Sequence, residues 1–415
     1  MHVRHLLASV ALTASAALTA CGIGNTEGGG GRNAINWYVF NEPGGSYDKA
    51  VADCNKSAGG KYHINYVKLP TDANKQRELV VRRLAAKDKD IDLIGMDVIW
   101  TAELAQAGWI LPWTGHNRDV ATQGKLQGPL KTVEYKGKVY GIPFTSNTQL
   151  LWYRKDKVDA PPEDFTWDEI IDDAVKKNTA VEVQARQYEG LTVWVNALIA
   201  GAGGEIVNQA GDVKVNDTAK RAAEIISKLG KSAAAPPGMS TNAEDQARQG
   251  FESGRSYYEV NYPFVYPSAA AIGKDFQKNM GWAMYPRSVK DKASRPPLGG
   301  INIGVSKYGE TPDLAFEAAE CIANEKHQGD AAELGGLPPT TEAVYNTAQV
   351  KKAYPFADLL RKSIETAAPR PVTPAYSDIS LAIQKTYSPP DGIDPNGIVQ
   401  QLKDRIEKAV EGKIF

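Results

Sequence analysis

Apolar and polar positions alternate along the first third of the chain in a way that predicts strand, helix, strand, helix, strand. Ile35 to Phe40 (INWYVF) is an apolar run of strand length, and Asn41 to Ser46 after it is a polar, Gly-containing loop. Ser46 can cap a helix on which Tyr47, Val51 and Cys54 recur at helical spacing until Gly59-Gly60 ends it. Ile64 to Leu69 reads as a second strand, Asp72 to Lys87 as an amphipathic helix, and Ile91 to Met96 as a third strand. Such alternation predicts a parallel sheet flanked by helices, and sheets of that kind bind ligands beyond the carboxyl ends of their strands. Asn41-Glu42 and Asp97 already stand at two of those ends.

The pattern then shortens. A brief helix ends at Gly108, and Lys136-Gly137 lies between two strand-like halves of Glu134 to Phe144, a hairpin signal. Gln149 to Arg154 (QLLWYR) reads as the passage into a second lobe. Thr166-Trp167-Asp168-Glu169 has the form of a capping box, and helices are predicted at 191–200, 216–229 and 242–252. Ser256 to Val260 is a strand that delivers Glu259, Asn261, Tyr262 and Phe264 at its end, where Pro263 stops the ladder. Ile301 to Val305 and the helix from Pro312 through Cys321 return to the style of the first lobe. The tail from Val344 is predicted helical, with Pro-rich breaks at 369–374 and 389–395.

Upstream of all this, Arg4 precedes a short apolar stretch, Leu6 to Leu18, that ends in Leu18-Thr19-Ala20-Cys21. The run is too short to span a bilayer and has the form of a secretory signal, and a cysteine after Leu-Thr-Ala is the acceptor of a lipoprotein signal. Residues 1–20 are therefore predicted to be cleaved, leaving a mature chain lipid-anchored through Cys21 on the extracytoplasmic face of the membrane. An ordinary secreted protein is the alternative. Residues 21–33 carry six glycines from Gly22 onward and read as a flexible tether.

Composition narrows the partners. A net charge of −1 leaves no basic field for nucleic acid. With Cys21 lipidated, Cys54 and Cys321 remain, and in an oxidising compartment they are expected to be joined, with two separate buried thiols as the alternative. Five histidines, two of them inside the signal, and no CxxC or HExxH give no metal site, and no cofactor motif appears.

Trp100 to Pro112, Lys136 to Phe144, Asn147 to Arg154, Pro161 to Glu169, Ala200 to Val207 and Phe251 to Phe264 resemble, in that order, extracellular solute-binding proteins of carbohydrate ABC importers. More narrowly, Met96 to Gly108, Ser146 to Arg154, Glu259 to Phe264, Gly335 to Pro338 and Ala368 to Pro374 resemble the trehalose-binding lipoproteins of actinobacterial importers, the LpqY type. The chain departs from that type at Tyr262, where those proteins carry Trp, and in a shorter stretch from Ala269 to Trp282. The resemblance implies a two-lobed periplasmic-binding-protein-like α/β fold, each lobe a mainly parallel sheet flanked by helices, with the ligand cleft between the lobes. The first lobe is expected at 34–145 plus 293–338 and the second at 146–292 plus 339–415. It further implies hinge closure on a disaccharide, trehalose ahead of maltose or another α-glucoside, and partnership with permease subunits and an ATPase.

For sugar hydroxyls the candidates are Asp97, Glu259, Asn147, Asn41, Glu42, Asn261 and Arg370, since carboxylates, carboxamides and guanidinium match groups that both donate and accept. Tyr262 and Phe264 are the stacking candidates, with Trp194 and Trp100 behind them. Gly336 and Leu337 would let backbone approach the ligand. An extracellular glycosidase built on Asp97 and Glu259 is the enzyme alternative, and a peptide- or metal-binding lipoprotein the other. The chain carries no nucleophile motif such as GxSxG, and the expected protein is not an enzyme.

Overall fold

The computed structural model describes residues 33–70, 72–208 and 211–412, so the signal, Cys21 and nearly all of the tether lie outside the described residues. Within them no helix is long and apolar enough to cross a membrane. Two sheets form two lobes. The first takes β1 (Ala34–Phe40), β2 (His63–Leu69), β3 (Leu93–Asp97), β6 (Ile142–Asn147) and β11 (Gly299–Val305), in the order β2-β1-β3-β11-β6. A small hairpin, β4 (Glu134–Tyr135) and β5 (Lys138–Val139), precedes β6, and its turn residues Lys136 and Gly137 have φ of 47° and 73°, as a two-residue I′ turn requires. The second sheet takes β7 (Leu150–Arg154), β8 (Ala180–Glu182), β9 (Ser256–Asn261) and β10 (Met280–Ala283), in the order β10-β7-β9-β8.

Both sheets are mixed, which corrects the expectation of mainly parallel ones. β1 runs parallel to β2 and β3, whereas β11 is antiparallel to β3 and β6. In the second sheet β8 is parallel to β9, but β7 is antiparallel to β9 and β10. The reason is the double crossing of the chain. β7 and β11 are each entered directly from the other lobe, so they start at the cleft and run away from it, while every other main-sheet strand runs toward it. Gly299 and Ile301 accordingly pair with Asn147 and Asp97, the cleft ends of β6 and β3. β6 also runs two residues past the expected 145/146 boundary, to Asn147.

Burial explains why the strands read as apolar runs. Ile35, Trp37 and Val39 of β1 are fully buried, as befits a strand with neighbours on both edges and helices on its faces. The second lobe gathers its core around Trp167, Trp194, Ile225, Tyr258 and Val260, and the tail helices Tyr376–Tyr387 and Ile398–Val410 complete it with Ile383 and Leu402. Thr166 caps the helix Trp167–Lys176 as a full capping box: its hydroxyl accepts from the Glu169 amide at 3.2 Å, and Glu169 accepts from the Thr166 amide at 2.7 Å. Cys54, on the helix Ser46–Ser57, is disulfide-bonded to Cys321, on the helix Pro312–Ile322, with α-carbons 5.9 Å apart. β8 and β10, three and four residues long, were not predicted; runs so short carry no period.

Candidate binding cleft

The cleft lies where the strand ends of the two sheets face each other. Asp97 is the last residue of β3, and its Oδ1 accepts from the Ile99 amide at 3.2 Å and from Arg370 Nη2 at 3.0 Å. The other guanidinium nitrogen of Arg370, Nη1, donates to Glu189 Oε1 at 2.6 Å, and Glu189 opens the second-lobe helix Glu189–Gly201. Arg370 thus joins the two lobes through two carboxylates. Its side chain is 4% exposed. Burial alone lowers its pKa, but Asp97, Tyr376 and Glu189 push it well above the ordinary value. Glu189 is held in turn by the Tyr376 hydroxyl and by Ser380 Oγ at 2.6 Å, and Asn196 donates to the Pro369 carbonyl at 3.2 Å, fixing the segment that carries Arg370. Arg370 Nε is buried without a partner.

Tyr262 follows β9 directly, oriented by Asn261 Oδ1, which accepts from the Tyr262 amide at 2.9 Å. Burial raises its phenol pKa, and the charges of Glu244, Arg370, Asp97 and Glu189 all reach it, so its hydroxyl stays protonated among ionic groups. Tyr188 and Glu244 stand in the same group. Burial raises both pKa values, and the Tyr188 hydroxyl and the Glu244 carboxyl act on each other directly. Arg186 stacks over Tyr188 at 4.2 Å and reaches across the cleft to within 3.9 Å of Asp72. Beside Arg370 a cavity of about 610 Å³ opens between Ile99, Thr132, Tyr135 and the Pro369–Pro374 segment, a volume in the range of small-ligand sites.

The predicted residues divide by depth. Asp97, Arg370 and Tyr262 come together, and Asn147 lies half-buried at the crossover with its Oδ1 on the Thr148 amide and its Nδ2 without a partner among the described residues. Asn41 is exposed on the loop after β1. Glu42 is 3% exposed and is spent on its own loop: its carboxylate accepts from the amides of Gly44 and Ser46 and from the Ser46 hydroxyl, tying the loop to the first residue of the Ser46–Ser57 helix. Phe264 meets Gly336 across the cleft so closely that a Cβ on Gly336, whose φ is +65°, would lie 2.8 Å from Phe264 Cα. Leu337 packs against the first-lobe core instead.

Glu259 is the clearest departure. It is fully buried, its Oε1 accepts from Asn261 Nδ2 at 2.6 Å, and its Oε2 has no partner. It sits two residues before the end of β9, on the face opposite Tyr258 and Val260, beneath the helix Glu244–Glu252. Burial raises its pKa to about 8, and Glu182 and Glu252 add to the rise. Asn261 is fully buried as well, donating to Glu259 and to the Glu244 carbonyl. Both hold the end of β9 from behind. Trp194 and Trp100 are core residues, 3% and 2% exposed. Sequence reasoning missed Glu189, Tyr188, Glu244 and Tyr376; only Glu189 carried a signal, a lone carboxylate opening an otherwise apolar helix.

Residues 49–357 match the family model of bacterial extracellular solute-binding proteins. The chain belongs to that family. Its members are solute-binding proteins and not enzymes, which removes the glycosidase alternative for this solute-binding protein. It is 27% identical over 337 residues to a probable ABC transporter-binding protein of Deinococcus radiodurans, covering 75% of this chain and 76% of that one. It is 29% identical over 267 residues to the maltodextrin-binding protein MdxE of Bacillus subtilis, covering 60% and 61%. Maltose-bound MalE3 of T. maritima has the same two-lobed fold, with a TM-score of 0.78 at 23% identity over 92% of this chain and 98% of that one.

Proposed function

We propose that this chain is the sugar-binding component of an ABC importer, anchored to the outer face of the cell membrane through lipid on Cys21. It takes a disaccharide, trehalose ahead of maltose, between lobes formed by 34–145 plus 293–338 and by 146–292 plus 339–415, and it hands the sugar to a permease with its ATPase. The observation that carries this reading is the Asp97–Arg370–Glu189 bridge, which ties a strand end of the first lobe and a helix start of the second to a common cation at 3.0 and 2.6 Å. A ligand that touches both sides of such a bridge favours the closed state only by contacting both lobes at once. Asp97 retains a second carboxylate oxygen for a sugar hydroxyl, and Asn147 retains its amide donors. Tyr262, Tyr188 and Glu244 offer further donors and acceptors on the second-lobe wall, with Asn41, Phe264 and Gly336 at the rim.

The relatives named for maltodextrin and maltotriose support an α-glucoside, and the ordered motifs shared with trehalose binders favour trehalose among them. Titration calorimetry of the mature domain against trehalose, maltose, maltotriose and mannitol tests this. Heat with trehalose exceeding that with the others is the expected result, and a ligand at a hundredfold its Kd should add about 2.7 kcal/mol to stability. Binding of maltotriose without trehalose overturns the trehalose assignment, and appearance of product sugars overturns the transport reading. Intact mass of membrane-extracted protein checks the anchor: an unmodified Cys21 removes it.

A further inference from the structure

On the far side of the first lobe, three helices bring together a second constellation that the cleft does not use. The helix Ser46–Ser57 supplies Asp53 and Cys54, the helix Pro312–Ile322 supplies Cys321, and the helix Glu325–Gly335 supplies His327. One donor atom from each of Cys54, Cys321 and His327 lies within 4.8 Å of the other two. Cys54 is fully buried and His327 is 3% exposed, while Cys321 is half-buried with Ser57 Oγ 3.8 Å from its sulfur. The imidazole is placed edge-on between two groups. Its Nδ1 is 4.0 Å from Cys54 Sγ, and its Nε2 is 3.6 Å from Asp53 Oδ2.

With the disulfide closed, His327 Nδ1 lies 2.8 Å from the Cys321 carbonyl. A carbonyl only accepts, so a neutral ring carries its proton on Nδ1 and turns the bare lone pair of Nε2 toward the Asp53 carboxylate. In that tautomer the carboxylate, which Lys49 and Lys326 already hold, gains nothing from the ring. The opposite tautomer has Nε2–H toward Asp53 and a bare Nδ1 lone pair 4.0 Å from Cys54 Sγ, free for a metal once the ring turns off the Cys321 carbonyl, which is the carboxylate–histidine arrangement that supports metal-ligating imidazoles. The Cys321 carbonyl loses nothing essential by the change, because it also accepts from the Ala323 and Asn324 amides.

We propose that, when a dithiol reduces the Cys54–Cys321 disulfide, Cys54, Cys321 and His327 form a site for one soft divalent cation such as Zn²⁺, with Asp53 holding the imidazole. The dithiol supplies two electrons to the sulfur–sulfur bond and closes its own disulfide, leaving two cysteine thiols. The cation then displaces both thiol protons to solvent and takes Sγ of each cysteine and Nδ1 of His327, with water at a fourth position on the half-exposed Cys321 side. Tetrahedral zinc with sulfur at about 2.3 Å and nitrogen at about 2.0 Å needs sulfur and nitrogen roughly 3.5 Å apart, close to the 4.0 Å already present. Two thiolates and one imidazole suit zinc over calcium or magnesium, which require oxygen ligands. The 267 residues between the cysteines hide this site from any spacing motif. Either cross-link, covalent or metallic, ties the same helices together.

The test uses the full mature chain, reduced with dithiothreitol, desalted without oxygen and titrated with Co²⁺. The expected result is one Co²⁺ per chain, with thiolate-to-cobalt charge-transfer bands that Zn²⁺ abolishes by displacement, and recovery by Zn²⁺ of the melting temperature lost on reduction. The oxidised chain should give none of these signals. Cys321→Ser should remove the charge-transfer bands, His327→Ala should weaken Co²⁺ by at least tenfold, and Asp53→Asn should weaken it by about 10- to 100-fold. Should reduction alone unfold the chain, added Zn²⁺ is expected to restore its circular dichroism. A reduced chain that takes up no stoichiometric Co²⁺, that Zn²⁺ fails to restore, or whose Co²⁺ affinity is untouched by His327→Ala overturns the proposal. Sugar titration of the oxidised protein is independent of every one of these outcomes.

Discussion

Two carboxylate clusters stand close to strand ends of the two sheets, and they are neutralised in opposite ways. In the cleft, Asp97 and Glu189 are matched by a cation: Arg370 meets both, at 3.0 and 2.6 Å. Behind β9, Glu259 has no ion pair among the described residues: Arg248 is paired with Glu252 at 2.6 Å and acts on Glu259 only at a distance, Arg255 is paired with Glu182 at 3.2 Å, and burial outweighs Arg248, so Glu259 holds a proton instead. The difference matters for binding. A carboxylate matched by a cation keeps spare lone pairs for a ligand's hydroxyls, whereas one that must hold a proton in a sealed interior serves the fold. Position decides which outcome applies: Asp97 ends its strand, and Glu259 lies two residues short of the end of its own.

Breaking the cation-matched cluster gives the largest expected effect. Arg370→Ala leaves Asp97 and Glu189 facing each other without compensation, and loss of one partner from a buried bridge typically costs about 3 to 5 kcal/mol. Urea unfolding should show that loss, and calorimetry should show no sugar binding; a variant as stable as the parent would remove Arg370 from the centre of the cleft. Asp97→Ala should act mainly on affinity, because Asp97 is 23% exposed and its partner Arg370 keeps Glu189. A charged hydrogen bond lost to a sugar hydroxyl is worth about 1.5 to 3 kcal/mol, so binding should weaken roughly 10- to 200-fold. An unchanged Kd would assign Asp97 to the bridge alone.

The same contrast explains what was legible in the sequence. Local patterns carried β1 through β3, the Thr166 capping box and the arrival of Asp97 at a strand end, since each rests on residues close in the chain. The pairing of Asp97 with Arg370 spans 273 residues and left no local trace beyond the Pro-Arg-Pro context. Glu259 was placed on the right strand at the wrong depth: period-two alternation tells which residues share a face, and not that the helix Glu244–Glu252 covers that face. Strand direction failed for a related reason, because β7 and β11 are reversed by the passage of the chain between lobes, a property of topology rather than of composition. Glu244 and Tyr188 each look like ordinary helix-start residues until the other lobe is in place.

The proton-neutralised cluster makes its own prediction, smaller and read by pH. The ordinary value for Glu259 is 4.5 and its value in the fold is about 8, so across that window the unfolded chain has lost a proton that the folded chain retains. Stability from this group is therefore fully present below about 4.5, falls as pH rises through the window, and levels off above about 8. The slope from a single such group is at most about 1.4 kcal/mol per pH unit. Glu259→Gln keeps the shape and removes the titration, so the difference between parent and variant in urea unfolding should flatten toward low pH and grow with rising pH in favour of the variant. A constant difference across that range would mean that Glu259 finds a cation on folding after all.

Tyr262 sharpens the comparison at its finest grain, because it stands between the two clusters. Its amide is held from behind by Asn261, which also binds Glu259, and the charges of Glu244, Arg370, Asp97 and Glu189 reach its phenol. Tyr262→Phe removes only the hydroxyl, a neutral hydrogen bond worth about 0.5 to 1.5 kcal/mol, so affinity should fall roughly 2- to 10-fold with the melting temperature nearly unchanged. Tyr262→Ala should weaken binding further through the lost ring face. If the phenylalanine variant binds like the parent and the alanine variant does not, the ring alone carries the contact and the hydroxyl belongs to the wall. Equal affinity in both variants would take Tyr262 out of the site and leave the second-lobe side of the contact to Arg370, Tyr188 and Glu244.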